Sequence, residues 1–344
     1  MASLNSERFA QIAAAYPRLR VAVLGDICLD RYLEIDPARP EISIETNLPV
    51  HNVVNVRSQP GAAGTILNNL VALGVGAIFP VGFCGEDGEG FELRRALSAK
   101  HGVQPDGFFA TPERRTFTYC KPLVLHPDRA PEELSRLDSK NWSPTPPTVE
   151  DRVIAAVQQL AAQVDAIIVM DQVDLAETGV VTRRVLETIR ELARTRPELL
   201  ILADSRRGLK NYPPVTFKMN AAELGALTGT KSDAPLDSLK QTAGKLALAH
   251  GRNVFVTLSE RGIVGAPSAG EVEHVPTFPV RGEIDIVGAG DAVTANLTAS
   301  LAAGAGVREA LEIANAAASI VIHQLGTTGT ASVAEINRLL GAEK

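Results

Sequence analysis

Short apolar segments alternate with longer amphipathic segments along most of the chain. The first apolar segment, Arg20 to Leu24, is rich in β-branched residues and stops at Gly25-Asp26, which predicts a buried strand. Helical spacing of apolar residues predicts helices over 149–163 and 176–195. Further short apolar runs predict strands at Ala77 to Val81, Asp165 to Met170, Leu199 to Ala203, Val215 to Lys218 and Val254 to Leu258. This alternation predicts an α/β fold with a doubly wound, mostly parallel sheet flanked by helices.

Two segments interrupt the alternation. The chain from 32 to 58 is punctuated by proline and alternates apolar with polar residues, and the chain from 106 to 124 again has β-type composition. We expect these two excursions to pair as a small β-sheet beside the main one. The Pro- and Asp-rich stretch from 126 to 147, which carries the chain's one tryptophan, Trp142, predicts a long irregular connection.

Composition narrows the classes of partner. Of 344 residues, 45% are hydrophobic and 22% charged, which is enough for a full core in one or two α/β domains. A net charge of −6 with scattered basic residues argues against nucleic acid or an anionic membrane as partner.

The three cysteines lie far apart, without the spacing of a disulfide framework or a zinc site. With no signal-like N-terminus and no run of bilayer length, we expect a cytoplasmic, soluble protein.

The stretch EIDIVGAGDA, residues 283–292, combines a Gly-rich turn with a carboxylate. Gly288 and Gly290 allow a tight bend and close approach of a ligand, and a helix of small residues predicted from Asp291 would offer first-turn N–H groups to an anion. An acid beside such a site is expected to stay ionised at neutral pH and to reach a hydroxyl that attacks a bound phosphate. This is the layout of a kinase. The alternative is a plain Gly-rich turn with an Asp N-cap.

Two stretches near the N-terminus offer sugar-binding candidates. Asp30 follows the first strand, where open α/β sheets bind ligands, and its carboxylate would suit polyol hydroxyls; a solvated loop acid is the alternative. A second Gly-rich helix start, at Gly61 to Thr65, precedes a predicted helix that carries Asn69. An ordinary helix start with small residues explains this second stretch equally well.

A third helix start carries an amide and a carboxylate one turn apart. Asn220 and Glu223 would share one helix face and could hold Mg²⁺ through its waters, although the same pair also reads as a capping box. Later, a helix of small residues that includes Asn315 could form one wall of a flat, apolar pocket for a base.

Taken together, these motifs resemble the ribokinase-like (PfkB-type) carbohydrate kinase family over roughly residues 18–335, which would follow an N-terminal helix or extension at 1–17. The family's late signature appears as Asp285 to Asp291, its Asn-x-x-Glu as Asn220 to Glu223, its nucleotide-strand signature as Thr257 to Gly262, and its sugar-binding start as Gly25 to Asp30. The small sheet would then be a lid.

The resemblance implies roles for particular residues. Asp291 would be the catalytic base, with the amides of Gly288, Ala289 and Gly290 as an anion hole. Sugar contacts would come from Asp30, Gly61, Thr65 and Asn69. ATP would contact Asn220, Thr257, Ser259, Glu260, Gly262 and Asn315, and Mg²⁺ would be held by Glu223, Asn220 and Asp285.

Two positions depart from the family pattern. Ile286 replaces the signature Thr and removes a hydroxyl near a common monovalent-cation site, which weakens the expectation of K⁺ activation. The early Gly-Gly-x-x-x-Asn motif stands here as Gly61 to Thr65, with Ala62 at the second Gly and Thr65 at the Asn position. The expectation for the sugar is therefore weaker than that for the reaction.

Within the family, the stretches GDICLDRY, GAAGTILNNLVALG, LADSRRG and IVIHQLGTTGTASVAEI look most like the heptose-7-phosphate 1-kinases of ADP-heptose synthesis. Members of that group are often fused to a nucleotidyltransferase domain, which we do not expect in this sequence. A phosphorylated substrate needs a cationic subsite, for which Arg206 and Arg207, after a sheet strand, are better placed than Arg114, Arg115 or Lys121. The substrate expected from the resemblance is D-glycero-D-manno-heptose 7-phosphate, phosphorylated at O1.

Two alternatives stay open at this point. One is a generic ribokinase- or fructokinase-type kinase of an unphosphorylated sugar, a nucleoside or hydroxymethylpyrimidine, and another is a sugar- or nucleotide-binding protein without catalysis. A Rossmann dehydrogenase is disfavoured because no G-x-G-x-x-G follows the first strand. Because an exposed lid sheet needs cover, and because the resemblance implies it, we also expect a homodimer joined through the lids.

Overall fold

The computed structural model describes residues 4–326 and 328–341. The helices in this part of the chain are α1 (Ser6–Ala13), α2 (Ala63–Ala72), α3 (Gly88–Ser98), α4 (Pro147–Ala161), α5 (Arg183–Thr195), α6 (Ala221–Thr228), α7 (Leu236–His250), α8 (Ala289–Ala302), α9 (Val307–Val321) and α10 (Val333–Gly341). The strands are β1 (Arg20–Gly25), β2 (Ile27–Ile35), β3 (Glu41–Ile42), β4 (Pro49–Val50), β5 (Val53–Ala62), β6 (Ala77–Gly85), β7 (Phe108–Thr111), β8 (Thr118–Val124), β9 (Glu132–Glu133), β10 (Ala166–Asp171), β11 (Leu200–Ser205), β12 (Thr216–Asn220), β13 (Val254–Thr257), β14 (Ile263–Ala266) and β15 (Glu273–Val275).

The main sheet has nine strands in the order β15-β14-β13-β12-β11-β10-β1-β6-β7. Strands β13 through β7 run parallel, and β14 and β15 add an antiparallel edge. The central strands β1 and β10 are buried almost throughout because helices cover both faces. One face packs against α1, α2, α3, α8, α9 and α10, and the other against α4, α5, α6 and α7. This architecture confirms the predicted fold class.

The small sheet has four strands in the order β5-β2-β8-β9. Strand β2 begins at Ile27, immediately after β1, and pairs antiparallel with β5 and parallel with β8. The prediction that all of 106–124 joins this sheet is wrong for its first strand, because Phe108–Thr111 pairs with β6 in the main sheet. Asp30 lies opposite Gln59 on one neighbouring strand and Tyr119 on the other, so these three side chains share one face.

The helix predicted from 176 begins only at Arg183. Asp26, at the end of β1, accepts hydrogen bonds from the backbone N–H groups of Gln172 (2.9 Å) and Val180 (2.7 Å), which hold the intervening segment as a loop. Thr182 then caps the helix. A carboxylate distant in sequence thus overrides a local helical pattern. None of the helices in the described ranges combines the length and apolar character needed to cross a bilayer.

Candidate active site

Helix α8 begins at a left-handed glycine. Gly288 has φ 84° and precedes Ala289, so Asp291 is the third helical residue and lies two residues further into the helix than predicted. The N–H of Ala289 already donates to the carbonyl of Ile286 at 3.2 Å, which removes one of the three expected anion-hole donors. The first-turn N–H groups of Gly290 and Asp291 have no acceptor one turn back in the helix and remain suited to an anion.

A buried ion pair lies directly beneath this helix start. Lys218 donates to Asp204 Oδ2 at 2.7 Å, and Thr294, on α8, donates to the same oxygen at 2.9 Å. A Cβ on Gly290 would lie 3.1 Å from Lys218 Nζ, so the ammonium group reaches the turn itself. The sequence interpretation missed Lys218 as a site residue. The signal was a lysine inside an apolar strand, which must find a partner when buried.

The carboxylate of Asp291 is not ionised as readily as predicted. Burial is the main cause, and the negative charge of Asp204 adds to it, with a smaller contribution from Asp30; together they raise the pKa of Asp291 to about 7 although Lys218 opposes them. The favourable field of a helix N-terminus therefore loses to desolvation at this position. A carboxyl group with a pKa near neutrality is suited to take up a proton during a reaction.

The carboxylate of Asp30, on β2, lies against Gly61, on the neighbouring strand β5. Asp30 is buried, which raises its pKa, while Lys121 opposes the shift. A Cβ on Gly61 would lie 2.5 Å from Asp30 Oδ2, so only glycine leaves room for this carboxylate. The next residue, Ala62, has φ 54°, a conformation that normally favours glycine, so an alanine here carries backbone strain.

Thr65 lies beside the start of α8, and Asn69 is committed elsewhere. A Cβ on Gly288 would lie 3.6 Å from Thr65 Cγ2 and 3.5 Å from Thr328 Cβ. Gln59, on β5 of the small sheet, donates to Thr328 Oγ1 at 2.8 Å and so ties this strand to the start of α8. The fully buried Asn69 instead donates to the carbonyls of Thr65 (3.0 Å) and Gly329 (3.4 Å). Its position favours a structural role over the predicted sugar contact.

A mostly apolar pocket at the start of α8 brings all six predicted nucleotide residues together. Its cavity volume is about 630 Å³, and Ala289 and Gly290 form its inner end. The predicted residues that line it are Asn220, Thr257, Ser259, Glu260, Gly262 and Asn315, and the apolar wall comes from Phe278, Ile284, Ile286, Val293, Ala318 and Ile322. This pocket has the size and lining of a small-molecule site.

Two of these residues shape the pocket through the backbone. Gly262 has φ 88°, and a Cβ there would lie 2.0 Å from the carbonyl oxygen of Val275, so the turn between β13 and β14 requires glycine. Asn315 donates to the carbonyl of Pro276 at 2.6 Å and fixes the segment that follows β15 against α9.

The predicted metal-binding residues have local hydrogen-bond partners. Asn220 Oδ1 accepts from the Glu223 N–H (2.9 Å), and Glu223 Oε2 accepts from the Asn220 N–H (2.7 Å), which completes a capping box for α6. Asp285 Oδ1 accepts from the N–H of Val287 at 3.0 Å and closes its own turn. Within residues 4–326 and 328–341, no three His, Cys, Asp or Glu side chains are grouped as a ready metal cage.

The two arginines expected to bind a phosphate have different environments. Arg207 donates to the fully buried Asp171 at 2.6 Å, and Ser205 and Tyr212 donate to the same carboxylate oxygen. Arg207 is thus committed to a buried charge. Arg206 is exposed and pairs with Asp174 at 3.1 Å. Only Arg206 is available to a ligand.

Residues 19–334 match the model of the pfkB family of carbohydrate kinases. The chain belongs to this family. Among curated relatives, it is 30% identical over 331 residues to the bifunctional protein HldE of Bradyrhizobium sp. (strain ORS 278), which covers 96% of this chain and 65% of that protein. It is 31% identical over 320 residues to the bifunctional protein HldE of Rhodospirillum rubrum, covering 92% and 62%. The chain thus spans somewhat less than two thirds of the length of these relatives.

Solved structures of pfkB-like proteins share the fold. The ribokinase of Arabidopsis thaliana in complex with ribose and ATP aligns with TM-score 0.65 at 18% identity, covering 94% of this chain and 98% of that one. The phosphofructokinase-2 of Escherichia coli in complex with substrates and products aligns with TM-score 0.70 at 16% identity, covering 94% and 99%. As a pfkB carbohydrate kinase, the protein is a phosphotransferase with an alcohol group as acceptor.

The residues around α8 fit the magnesium ion that a pfkB carbohydrate kinase uses with ATP. Burial, and the nearby charge of Asp204, raise the pKa of Glu223, as they do that of Asp291. Asp204, Glu223 and Asp291 thus place three carboxylates in this region. Lys218, a positive charge near them, already forms an ion pair with Asp204. A divalent cation would offset the remaining excess of negative charge.

Proposed function

We propose that this protein transfers the γ-phosphoryl group of ATP to O1 of D-glycero-D-manno-heptose 7-phosphate. The observation that carries the reaction is the position of Asp291 on α8, with the apolar pocket on one side and the Asp30 and Gly61 corner on the other. The choice of heptose rests on the four stretches that resemble heptose-7-phosphate kinases and on the likeness to proteins named HldE.

In the proposed mechanism, Asp291 accepts the proton of the acceptor hydroxyl as that oxygen bonds to the γ-phosphorus. The bond from the γ-phosphorus to the β–γ bridging oxygen breaks, and ADP leaves with the electron pair. The N–H groups of Gly290 and Asp291, with Lys218 beneath them, stabilise the charge on the transferring group. Mg²⁺, held through water by Glu223 with Asn220 and Asp285 as further candidates, would neutralise charge on the β- and γ-phosphates.

Acceptor hydroxyls are assigned to Asp30, with the backbone at Gly61 and the hydroxyl of Thr65 beside it. Asp30 is buried, next to a glycine that leaves it room, and its charge reaches Asp291. The adenosine part of ATP is assigned to the apolar pocket between Thr257, Gly262 and Asn315, with Ser259 and Glu260 at its rim.

We also propose a homodimer that covers the small sheet. Strand β5 is an edge strand, and Val53, Val54 and Val56 on it are 43 to 47% exposed. Ile44 and Leu48, near the adjoining β3-β4 hairpin, are 97% and 62% exposed. An uncovered apolar edge of this kind favours pairing with a second copy. Light scattering at micromolar concentration should give twice the monomer mass, and a fully active monomer would contradict this part of the proposal.

An acceptor panel tests the substrate. With ATP and Mg²⁺, kcat/KM for D-glycero-D-manno-heptose 7-phosphate should exceed that for ribose, fructose and fructose 6-phosphate at least about tenfold, because a charge-assisted phosphate contact typically contributes about 1.5 to 3 kcal/mol. A preference for an unphosphorylated sugar or a nucleoside would assign a generic sugar or nucleoside kinase. Absence of transfer to every acceptor, with ATP and sugar still bound, would indicate a binding protein.

A further inference from the structure

Two basic side chains flank one aromatic ring, and a third shares an acidic partner with one of them. Arg136 Cζ lies 4.8 Å and Lys140 Nζ 5.7 Å from the ring centroid of Tyr119, on β8. Lys140 and Arg206 both bind Asp174, at 2.8 Å and 3.1 Å. Arg136 and Lys140 lie in the irregular connection that precedes α4, whereas Arg206 follows β11. The fold thus brings together cations that are far apart in sequence.

These cations are held by accessible partners. The Asp174 side chain is 50% exposed, and Arg136 pairs with Asp138 at 2.6 Å on the surface. Exposed pairs of this kind contribute little stability and exchange readily for a better anion. Arg207 and Arg114 differ, because Arg207 serves the buried Asp171 and Arg114 donates to backbone carbonyls.

The cluster lies next to Asp30, through Tyr119 on the neighbouring strand. Tyr119 is the register partner of Asp30, and its side chain lies on the same face of the small sheet. The positive charges of Lys121 and Arg136 counter the burial that raises the pKa of Asp30, and the negative charge of Asp30 in turn raises the pKa of Asp291. A substrate with a hydroxyl at Asp291 and its ring on Asp30 would therefore extend toward the cations.

A concave surface adjoins the cluster. Lys140 and Asp174 line a pocket together with Phe117 and Trp142, close to the loop after β10. Trp142 is 73% exposed and is the only tryptophan in the sequence. Trp142, which lines this small pocket beside Lys140, provides a fluorescence signal for an anion that binds at the cluster.

We propose that Arg136, Lys140 and Arg206 form an anion subsite that binds the phosphate already present on the acceptor. The proposal rests on the proposed function, since it names how that site would recognise a phosphorylated sugar. Two arginines that present planar forks and one lysine that supplies a point charge match a phosphate monoester. Asp174 occupies Lys140 and Arg206 until the phosphate replaces it.

Charge-removing substitutions test the subsite by kinetics. Lys140→Gln and Arg206→Gln should each raise KM for heptose 7-phosphate about tenfold while kcat and the KM for ATP stay near those of the parent. The same variants should treat the dephosphorylated heptose as the parent does. Arg129→Gln is the matched control, because Arg129 lies in the same connection but binds Glu132. Equal effects on both sugars would contradict phosphate recognition.

A substitution of opposite sign separates recognition from packing. Asp174→Asn removes the carboxylate that competes for Lys140 and Arg206, so the KM for heptose 7-phosphate should fall several-fold. A purely structural role for the cluster predicts that this variant binds the acceptor no better than the parent. A raised or unchanged KM in Asp174→Asn would therefore overturn the proposal.

Fluorescence makes the result independent of turnover. With saturating ADP to fill the nucleotide pocket, inorganic phosphate and heptose 7-phosphate should each change Trp142 emission saturably, and Lys140→Gln should weaken both at least about fivefold. If the enzyme acts only on unphosphorylated sugars, a phosphate response that depends on Lys140 still supports an anion subsite. No response, or one that Lys140→Gln and Arg206→Gln leave unchanged, overturns the subsite even where heptose 7-phosphate is the substrate.

Discussion

Lys218 and Asp204 form a buried ion pair of 2.7 Å directly beneath the glycine turn that precedes Asp291. The pair comes from two neighbouring parallel strands, β11 and β12, and is closed by the hydroxyl of Thr294 on α8. The pair therefore holds the N-terminal turn of α8 in a fixed position against strands β11 and β12. It also places beside Asp291 the positive charge of Lys218, which lowers the pKa of that carboxyl.

Replacing Lys218 by methionine should affect both stability and the pH profile. Asp204 would be left buried without its partner, which should lower the free energy of unfolding by about 3 kcal/mol or more. Because Lys218 lowers the pKa of Asp291, its loss should move the acid limb of the kcat/KM profile to higher pH. Denaturant titration and pH–rate profiles measure both, with Lys210→Met, at an exposed position, as control. Parental values for Lys218→Met would argue against this coupling.

Gly61→Ala should act on the acceptor side alone. The new Cβ would lie 2.5 Å from Asp30 Oδ2, so the carboxylate must move from its buried position. We expect the KM for the sugar to rise at least about tenfold while the KM for ATP changes less than about twofold. Gly88→Ala is the control, because a Cβ there meets nothing within 4 Å. An unchanged sugar KM in Gly61→Ala would remove Asp30 from the acceptor site.

Arg207→Gln should lower stability without altering acceptor recognition. Arg207 is the cation bound to the fully buried Asp171, and its loss leaves that carboxylate to two neutral donors. We expect a free energy of unfolding lower by about 2 to 4 kcal/mol and a KM for the acceptor within about twofold of the parent. A selective rise in KM for phosphorylated acceptors would restore Arg207 as a phosphate contact.

The order of strands and helices followed from the sequence because each buried strand is a short apolar run between polar helices. Gly288 and Gly290 likewise predicted the turn at the start of α8 from neighbouring residues alone. What failed depends on contacts between distant residues. Asp26 accepts hydrogen bonds from the N–H groups of Gln172 and Val180, so α5 begins later than predicted. Phe108–Thr111 pairs with β6 and therefore belongs to the main sheet.

The electrostatics of the site could not be predicted from a motif. A helix N-terminus favours an ionised Asp291, but the sequence does not show that this carboxyl is enclosed and close to Asp204 and Asp30. The commitment of Arg207 to Asp171, and of Asn69 to the backbone of Gly329, likewise depends on tertiary neighbours. The sequence therefore predicts which side chains to consider, but not their protonation or their availability to a ligand.

The raised pKa of Asp291 also predicts a stability effect. A carboxyl whose pKa is about 7 in the folded protein and near 4 when unfolded costs stability as pH rises from about 4 through 7. Asp291→Asn removes this cost, so the variant should be more stable than the parent at pH 8, by about 1 to 3 kcal/mol. The difference should shrink toward pH 4. Thermal unfolding at the two pH values measures it, and a less stable variant at pH 8 would contradict the burial of this charge.

The central claim is that Asp291 is the base that takes the acceptor proton. In the parent, kcat/KM should rise with pH through an apparent pKa near 7, since the carboxylate must be free of its proton. Asp291→Asn keeps the shape and removes the base. The most direct measurement is kcat of this variant with its best acceptor, beside its affinity for ATP. The account predicts a loss in kcat of about 10²-fold or more with ATP binding nearly unchanged, and a variant that turns over like the parent would contradict it.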